Sequence, residues 1–194
     1  MQRVLVFCGS SPGARPQYTA VGAELGRLLA ERGLGVVYGG ASVGVMAAVA
    51  DAALERGGEV IGVIPRLLLD HEIAHTGLTD LRITETMHER KQLMADLSDA
   101  VIALPGGIGT MDELFEMFTW SQLGLHRKPI GLLNVENYWD RLLGFIEHMV
   151  DERFLWAEQR DTLLVEHTAA ALLDRCAAYE PRTRAKWIDR DDAR

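Results

Sequence analysis

The sequence predicts an α/β fold built on one doubly wound parallel sheet, and three observations support this prediction. Short apolar runs rich in β-branched residues alternate with longer segments of helical period along the 194-residue chain. The apolar runs carry few polar interruptions, which is typical of strands that helices cover on both faces. Three of the runs lead directly into glycine-rich segments, which suit tight strand-to-helix turns. We therefore expect a single domain of Rossmann-like architecture.

The first half of the chain predicts a βαβαβ unit. Its strands and helices are expected, in that order, at residues 4–7, 17–31, 35–38, 43–55 and 60–64. Residues 65–81 interrupt the alternation, and a connection of that length inside a compact domain is usually functional. A lid or a subunit-interface segment is therefore predicted there.

The second half repeats the alternation of strands and helices. A helix is predicted to begin after Thr86, because Thr86 and Glu89 have the spacing of a capping box. The later elements are expected at residues 100–104, 111–123, 129–133, 139–152, 163–165 and 169–178. Residues 181–194 are dense in charge and poor in apolar side chains, so we expect them to form a tail outside the domain of residues 1–180.

Composition and charge argue against several classes of partner. The formal net charge is −8, so the basic surface that sequence-independent nucleic-acid binding requires is not expected. No apolar run approaches the roughly 20 residues of a membrane span, and the first strand begins too early for a signal peptide. Cys8 and Cys176 have no metal-ligand spacing and fit buried thiols in a reducing compartment. The expectation is a cytoplasmic protein without metal, membrane or nucleic-acid partners.

Three glycine-rich loops follow predicted strands. They comprise residues 8–11, 39–44 and 105–110, and each runs into a predicted helix. Because the carboxyl ends of parallel strands lie at one edge of the sheet, the three loops are expected to meet there. Helix N-termini at such loops offer backbone N–H groups and a positive dipole to an anion such as phosphate. One loop alone is explained by a tight turn, whereas three together favour a phosphate site.

The loops do not match two familiar phosphate-binding motifs. The sequence has no GxxxxGK[ST] segment for a nucleoside triphosphate. It also has no GxGxxG segment with an acidic residue at the end of the second strand, as a dinucleotide site needs, because that strand ends in Val37 and Tyr38. Triphosphate hydrolysis and hydride transfer are therefore disfavoured.

Arg90 is a charged residue in an apolar helical stripe. On a helical wheel it lies within the arc formed by Met87, Leu93, Met94 and Leu97. A guanidinium on a buried face needs carboxylates, phosphates or carbonyl groups to accept its hydrogen bonds. Arg90 is thus a ligand-binding residue, an internal ion-pair partner, or a side chain that reaches along the stripe to water. Its place just before the strand that leads to the third loop favours function.

Glu113 admits two explanations. Thr110 and Glu113 have capping-box spacing, which makes Thr110 the N-cap of a helix and Glu113 its N3 residue. Alternatively, Glu113 shares an exposed stripe with Glu116 and Trp120. The core face opposite this stripe is predicted to comprise Met111, Leu114, Phe115, Met117 and Phe118. An exposed tryptophan beside two carboxylates suggests a binding surface or a subunit interface, and a carboxylate there could stabilise the positive charge of a breaking glycosidic bond.

Two sequence motifs resemble those of a known family. Residues 105–113 match the PGGxGTxxE motif, and residues 87–91 match the MxxRK element, of the Lonely guy (LOG) family of cytokinin-activating phosphoribohydrolases. The resemblance implies hydrolysis of the N-glycosidic bond of a cytokinin riboside 5′-monophosphate, or of a similar adenosine monophosphate, without a cofactor. It also implies a homodimer with its sites at the subunit interface.

The resemblance assigns roles to individual residues. Arg90 and Glu113 are implied as the catalytic pair, and the loop from Gly107 to Thr110 as the site of the 5′-phosphate. The substrate-binding residues that the resemblance implies are Gly9, Ser10, Gly39, Gly40, Glu72, Arg90, Lys91, Gly106, Gly107, Ile108, Gly109, Thr110, Met111, Asp112, Glu113 and Thr119. Ala41 and Ala47 stand where the family tends to have glycine, so an added methyl group could alter the fit of the ligand.

Three other functions compete with this one. Lysine decarboxylation needs a Schiff-base lysine and a cofactor site, and nothing in the sequence around Lys91, Lys128 or Lys186 resembles one. A non-catalytic nucleotide carrier or sensor stays open, since a fold and a phosphate loop do not establish turnover. A purely structural dimer module is the third alternative, and it predicts no nucleotide binding. The presence of both Arg90 and Glu113 favours the enzyme.

Overall fold

The centre of the fold is one sheet of seven strands. A computed structural model describes residues 1–69 and 74–181 of the chain. The strands are β1 (Arg3–Phe7), β2 (Gly35–Tyr38), β3 (Val60–Pro65), β4 (Asp80–Thr84), β5 (Ala100–Ala103), β6 (Ile130–Leu133) and β7 (Leu163–Glu166). They lie in the order β4-β3-β2-β1-β5-β6-β7, and each neighbouring pair is parallel. The predicted doubly wound α/β fold is confirmed.

Helices cover both faces of this sheet. They are α1 (Pro16–Glu31), α2 (Gly44–Leu54), α3 (Arg66–Leu69), α4 (Met87–Asp96), α5 (Ile108–Gln122), α6 (Asp140–Asp151), α7 (Ala157–Arg160) and α8 (Ala169–Ala177). Side chains of α1, α2 and α8 form one core with Val4 and Val6, whereas side chains of α4, α5 and α6 form the other with Leu5 and Phe7. Successive residues of β1 from Val4 to Phe7 thus face opposite cores, which is why this run is apolar throughout.

The segment 65–81, predicted as a loop, contains regular structure that the sequence did not indicate. α3 follows β3 directly, and β4 begins at Asp80, so the loop prediction was wrong for these residues. β4 is an edge strand, and its side chains Asp80 and Arg82 pair with each other at 2.6 Å. Edge strands tolerate charged side chains, so β4 lacks the apolar run that marks the other strands.

The strand order reverses between β1 and β5. The connection from β1 leads towards β2, and the connection from β5 leads towards β6 on the other side. In open parallel sheets this reversal opens a crevice at the carboxyl ends of the strands, where ligands bind. The loops that follow β1, β2 and β5 are the three glycine-rich loops of the sequence.

Two further expectations concern the ends of the chain and its thiols. Residues 182–194 lie outside the described residues, so the domain boundary at residue 180 stays a prediction. In the described part of the chain, none of the helices has the length and apolar character needed to cross a membrane. Cys8 and Cys176 are buried free thiols, as predicted.

Candidate active site

The three glycine-rich loops meet at the carboxyl edge of the sheet, as predicted. The Gly9 amide donates to the carbonyl of Pro105 at 3.1 Å, and the Gly9 carbonyl accepts from the amide of Val45 at 3.0 Å. Gly44 has a φ of +61°, and a β-carbon there would lie 2.4 Å from the Ser10 carbonyl carbon. The first amides of α2 are therefore bound to the protein itself, and the Gly39 loop acts mainly as scaffold.

α5 begins three residues earlier than predicted, with Gly107 as its N-cap in an extended conformation. Thr110 lies inside the helix and is buried, so the predicted capping box of Thr110 and Glu113 was wrong. The Thr110 side chain instead occupies the space above Gly106, where a β-carbon would lie 2.1 Å from the Thr110 hydroxyl oxygen. No side-chain hydrogen bond caps α5, and residues Gly107, Ile108 and Gly109 are exposed. The first turn of α5 can therefore receive an anion.

Arg90 and Glu113 form a buried ion pair between α4 and α5. Arg90 Nη1 lies 3.3 Å from Glu113 Oε1, and the two side chains are only 6% and 7% exposed. Arg90 also donates from Nε to the carbonyl of Val63 at 2.9 Å and from Nη2 to that of Gly39 at 3.3 Å. A β-carbon at Gly39 would lie 2.4 Å from Nη2, so this glycine makes room for the guanidinium. Of the alternatives given for Arg90, the internal ion pair is therefore observed. Its partner is Glu113, the glutamate of the PGGxGTxxE motif.

Glu113 lies on the buried face of α5, not on an exposed stripe. The buried residues of this helix are Thr110, Glu113, Leu114, Met117, Phe118 and Ser121. Counted from Thr110 they stand at i, i+3, i+4, i+7, i+8 and i+11, which is the pattern of a core-facing helix and was the signal available in the sequence. Trp120 is half-buried against the core, and so are Met111 and Phe115. The predicted core face is confirmed for Leu114, Met117 and Phe118, whereas the placement of Glu113 on an exposed stripe was wrong. The buried guanidinium of Arg90 requires a carboxylate opposite it, and Glu113 supplies it.

Lys91 bridges the same two helices nearer to solvent. Its ammonium lies 3.1 Å from Asp112 and 3.1 Å from Glu116, and its side chain is 10% exposed. Burial alone would lower the pKa of Lys91, but hydrogen bonds and charge interactions with these two carboxylates outweigh it and raise the pKa. Lys91 is therefore a fixed positive charge beside the Arg90–Glu113 pair.

Some predicted substrate contacts lie on a different surface. Thr119 is exposed and lines an open groove of about 490 Å³ on the outer face of α5. The other residues of this groove are Ile108, Met111, Asp112, Phe115, Glu116 and Trp120. We call it the α5 groove. Its members do not surround the Arg90–Glu113 pair from within the same subunit, and Glu72 lies outside the described residues.

A second cleft, of about 270 Å³, is bordered by residues 105–107 of the third glycine-rich loop. Its lining includes the Gly9–Ser10 backbone, Tyr18, Gly106 and Tyr138. Sequence reasoning did not find Tyr138. The available signal was its position just after β6, since β6 ends at the same carboxyl edge as β1 and β5.

Cys8 directly follows β1 and lies near enough to Glu113 for that charge to act on its thiol. Burial raises the pKa of the thiol far above its usual range, and the negative charge of Glu113 adds to this rise. A neutral thiol is a weak nucleophile. Cys8 is therefore a packing residue of the site and not a covalent catalyst.

Comparison with known proteins yields three kinds of similarity. A family model described as "Possible lysine decarboxylase" matches residues 46–176. The probable cytokinin riboside 5′-monophosphate phosphoribohydrolase LOGL5 of Oryza sativa subsp. japonica is 47% identical over 93% of this chain and 73% of its own length. The cytokinin riboside 5′-monophosphate phosphoribohydrolase LOG7 of Arabidopsis thaliana is 46% identical over 93% of this chain and 83% of its own length. The solved molybdenum cofactor carrier protein of Chlamydomonas reinhardtii has a TM-score of 0.70 and 20% identity, covering 92% of this chain and 99% of that chain, and this likeness shows the fold alone.

Proposed function

Because this chain belongs to the Lonely guy family, whose relatives bear the name cytokinin riboside 5′-monophosphate phosphoribohydrolase, we propose that it hydrolyses such nucleotides. The bond that breaks is the N-glycosidic bond, and the products are the free base and ribose 5-phosphate. The observation that carries the proposal is the buried Arg90–Glu113 ion pair, at 3.3 Å, beside the uncapped N-terminus of α5.

The loop from Gly107 to Thr110 binds the 5′-phosphate. Its first amides lack a side-chain cap, residues Gly107, Ile108 and Gly109 are exposed, and the helix dipole adds positive potential. A β-carbon at Gly107 or Gly109 would meet no protein atom within 4 Å. Packing within the described protein therefore does not require glycine at these two positions. Their lack of side chains instead leaves room for a ligand.

Glu113 faces the sugar in this arrangement. It follows Gly107 by six residues, which is about 9 Å along a helix axis, so a phosphate at the helix start brings the ribose near the carboxylate. Cleavage of an N-glycosidic bond builds positive charge on the ribosyl ring, and a carboxylate stabilises that charge and orients the attacking water. Glu113 supplies this carboxylate.

Arg90 acts as a hydrogen-bond donor and not as a proton donor, because a guanidinium stays protonated in proteins. Its donors already hold Glu113, the Val63 carbonyl and the Gly39 carbonyl. It therefore orients the catalytic carboxylate and offers hydrogen bonds to the phosphate, the ribose or the departing base. Lys91 adds a second positive charge at the entrance.

The described lysines do not support a decarboxylase. Lys91 is held by two carboxylates, and Lys128 donates from Nζ to the carbonyl of Ala95 at the end of α4. A Schiff-base lysine needs a free amine beside a cofactor cradle. The family description therefore names a chemistry that the described part of this chain does not fit.

The protein acts as a homodimer, and the α5 groove lies at the subunit interface. Ile108 is exposed at the start of the groove, and Leu123 continues the same helix face beyond it. Exposed apolar side chains in such a cluster mark protein interfaces. A partner subunit seated there would border the entrance to the site. A cytoplasmic location stays a prediction of the sequence.

The test is a base-release assay with two substrates. Purified protein is incubated with AMP and with N6-isopentenyladenosine 5′-monophosphate, and free base is followed by chromatography. Glu113→Gln should abolish release, whereas Glu59→Gln, which removes an ion pair with Arg3 at the opposite end of the sheet, should leave release intact. Tight binding of both nucleotides without release of either base would overturn the enzyme in favour of a nucleotide carrier.

A further inference from the structure

Tyr138 contacts the backbone of the phosphate-loop candidate directly. Its hydroxyl donates a hydrogen bond to the carbonyl of Gly106, at 2.5 Å. Its ring packs edge-on against Tyr18 at 5.7 Å and against Trp139 at 5.0 Å, measured between ring centroids. Tyr138 is therefore placed by two aromatic contacts while its hydroxyl bonds to the loop that precedes α5.

The turn that carries Tyr138 is rigidly built. Two successive non-glycine residues, Glu136 and Asn137, have left-handed backbone with φ of 52° and 58°, a conformation that costs energy and persists only where surrounding contacts hold it. Asn134 is buried, accepts from the Trp139 amide at 2.8 Å and donates to Asp140 at 2.7 Å. These contacts fix the direction in which Tyr138 leaves the turn.

The bond to Gly106 has a consequence on the other side of the same peptide. A trans peptide is planar, so the Gly106 carbonyl and the Gly107 N–H point in opposite directions. With the carbonyl held by Tyr138, the Gly107 N–H is held away from Tyr138. Gly107 is the N-cap of α5, and its N–H is among the first four amides of that helix, which have no partner within it.

We propose that Tyr138 is a positioning residue for substrate phosphate: its hydroxyl fixes the orientation of the Gly106–Gly107 peptide and keeps the Gly107 N–H turned towards the anion. This inference rests on the proposed binding of phosphate at the Gly107 loop. Glycine stands on both sides of this peptide, so no β-carbon restricts its rotation once the hydroxyl is removed. Tyr138 thus orders part of the site before phosphate binds, which lowers the entropic cost of binding.

A purely structural role for Tyr138 predicts something different. If the hydroxyl only stabilises the fold, its loss lowers the melting temperature and leaves ligand preference unchanged. If it orients the Gly107 N–H, its loss weakens binding of ligands with a phosphate and spares ligands without one. The contrast between the two ligand classes separates the two roles.

The experiment is calorimetric titration of Tyr138→Phe with ribose 5-phosphate and with adenosine. Ribose 5-phosphate carries the phosphate but no glycosidic bond to a base, so its binding is measured whether or not the protein is an enzyme. The variant should bind ribose 5-phosphate roughly three- to tenfold more weakly, the size of one hydrogen bond, and adenosine as before. With the nucleotide substrate, KM should rise by a similar factor while kcat changes less than about twofold. Tyr18→Phe, in the neighbouring ring of the cleft, is the matched control and should bind like wild type.

Two outcomes overturn the proposal. One is unchanged ribose 5-phosphate affinity in folded Tyr138→Phe, and the other is an equal loss for adenosine. A second measurement needs no variant: the amide resonance of Gly107 in the wild-type protein should move on addition of ribose 5-phosphate, and a resonance that stays in place also refutes the proposal. Failure of base release with these binding effects intact would reject the enzymatic function and leave the role of Tyr138 standing.

Discussion

Replacement of Arg90 by methionine should weaken the fold and abolish activity together. The guanidinium is buried, lies 3.3 Å from Glu113 Oε1, and donates to the carbonyls of Val63 and Gly39. Loss of one partner of a buried ion pair typically costs about 3–5 kcal/mol, because the other charge is left uncompensated. The two carbonyls also lose a donor. We therefore expect Arg90→Met to remove roughly 4 kcal/mol or more of the free energy of unfolding, out of the about 5–15 kcal/mol of an ordinary domain.

The companion variants isolate the interaction between the two charges. Glu113→Gln keeps the shape of the side chain but leaves Arg90 without its counter-charge, at a cost of about 2–4 kcal/mol. The double variant Arg90→Met/Glu113→Gln contains no unpaired charge at this position. It should therefore be less destabilised than the sum of the single variants, by about 1–3 kcal/mol.

Urea unfolding and base release measure the two consequences separately. The chain has four tryptophans, so unfolding of all four proteins can be followed by fluorescence. Base release should fall at least a hundredfold in each variant, including the double variant, the loss that removal of one preorganised electrostatic group typically causes. Strictly additive free energies would show that the two charges do not interact. Wild-type activity in the double variant would show that the pair serves the fold alone.

Three further predictions test the phosphate loop, the interface and the charge of Lys91. Gly109→Ala should keep the free energy of unfolding or raise it by about 0.5–1 kcal/mol, because alanine favours a helix more than glycine does. The same variant should bind ribose 5-phosphate more weakly in calorimetry, because the new methyl group enters the phosphate site. Leu123→Arg should convert a dimer to a monomer in sedimentation and lower base release. Lys91 has a raised pKa in the folded protein. Its ion pairs therefore stabilise the fold fully below the ordinary lysine pKa of about 10.4, and this stabilisation should be lost as the pH rises through the higher folded pKa. Thermal melts of Lys91→Met should lack this alkaline loss.

Each of these predictions has a control or a contrary result. Unchanged phosphate affinity in stable Gly109→Ala would move the phosphate away from α5. Phe154→Arg changes an exposed apolar residue away from α5, so dissociation by this variant and not by Leu123→Arg would place the interface on the α6 side. Equal alkaline destabilisation of wild type and Lys91→Met would assign that loss to other groups.

The sheet was largely predictable because its strands are buried on both faces. β1, β2, β3, β5 and β6 carry unbroken apolar runs, and helical period identified the helices that cover them. β4 was missed because an edge strand with Asp80 and Arg82 has no such run. The start of α5 was misplaced because Thr110 fits an N-cap by its spacing to Glu113, whereas its side chain is buried inside the helix against Gly106, four residues earlier.

The site was predictable where one residue broke a pattern. Arg90 interrupts an apolar stripe, and that conflict alone indicated a buried partner. Glu113 interrupts the buried face of α5 in the same way, but the prediction placed it with Glu116 and Trp120 on the opposite face. Tyr138 breaks no pattern in the sequence, since its importance depends on a hydrogen bond to Gly106, which lies 32 positions away. Side chains that act by orienting a distant backbone group are therefore the part of a site that is hardest to predict from a single sequence.

The Arg90–Glu113 pair also explains why this edge of the sheet is a site and not merely a turn. A buried ion pair is a poor device for stability, because well-packed apolar residues of similar size often serve the fold equally well or better. Met94, one turn further along the same helix, is fully buried and shows that this face of α4 packs an apolar side chain next to Arg90. The chain nevertheless places a guanidinium there, gives it a carboxylate, and leaves Gly39 without a side chain so that it fits. Charges held in place beside an open helix N-terminus are what a reaction that develops positive charge on a phosphorylated sugar requires. The arrangement is therefore better explained by catalysis than by folding, and the double variant is expected to keep more of the fold than of the activity.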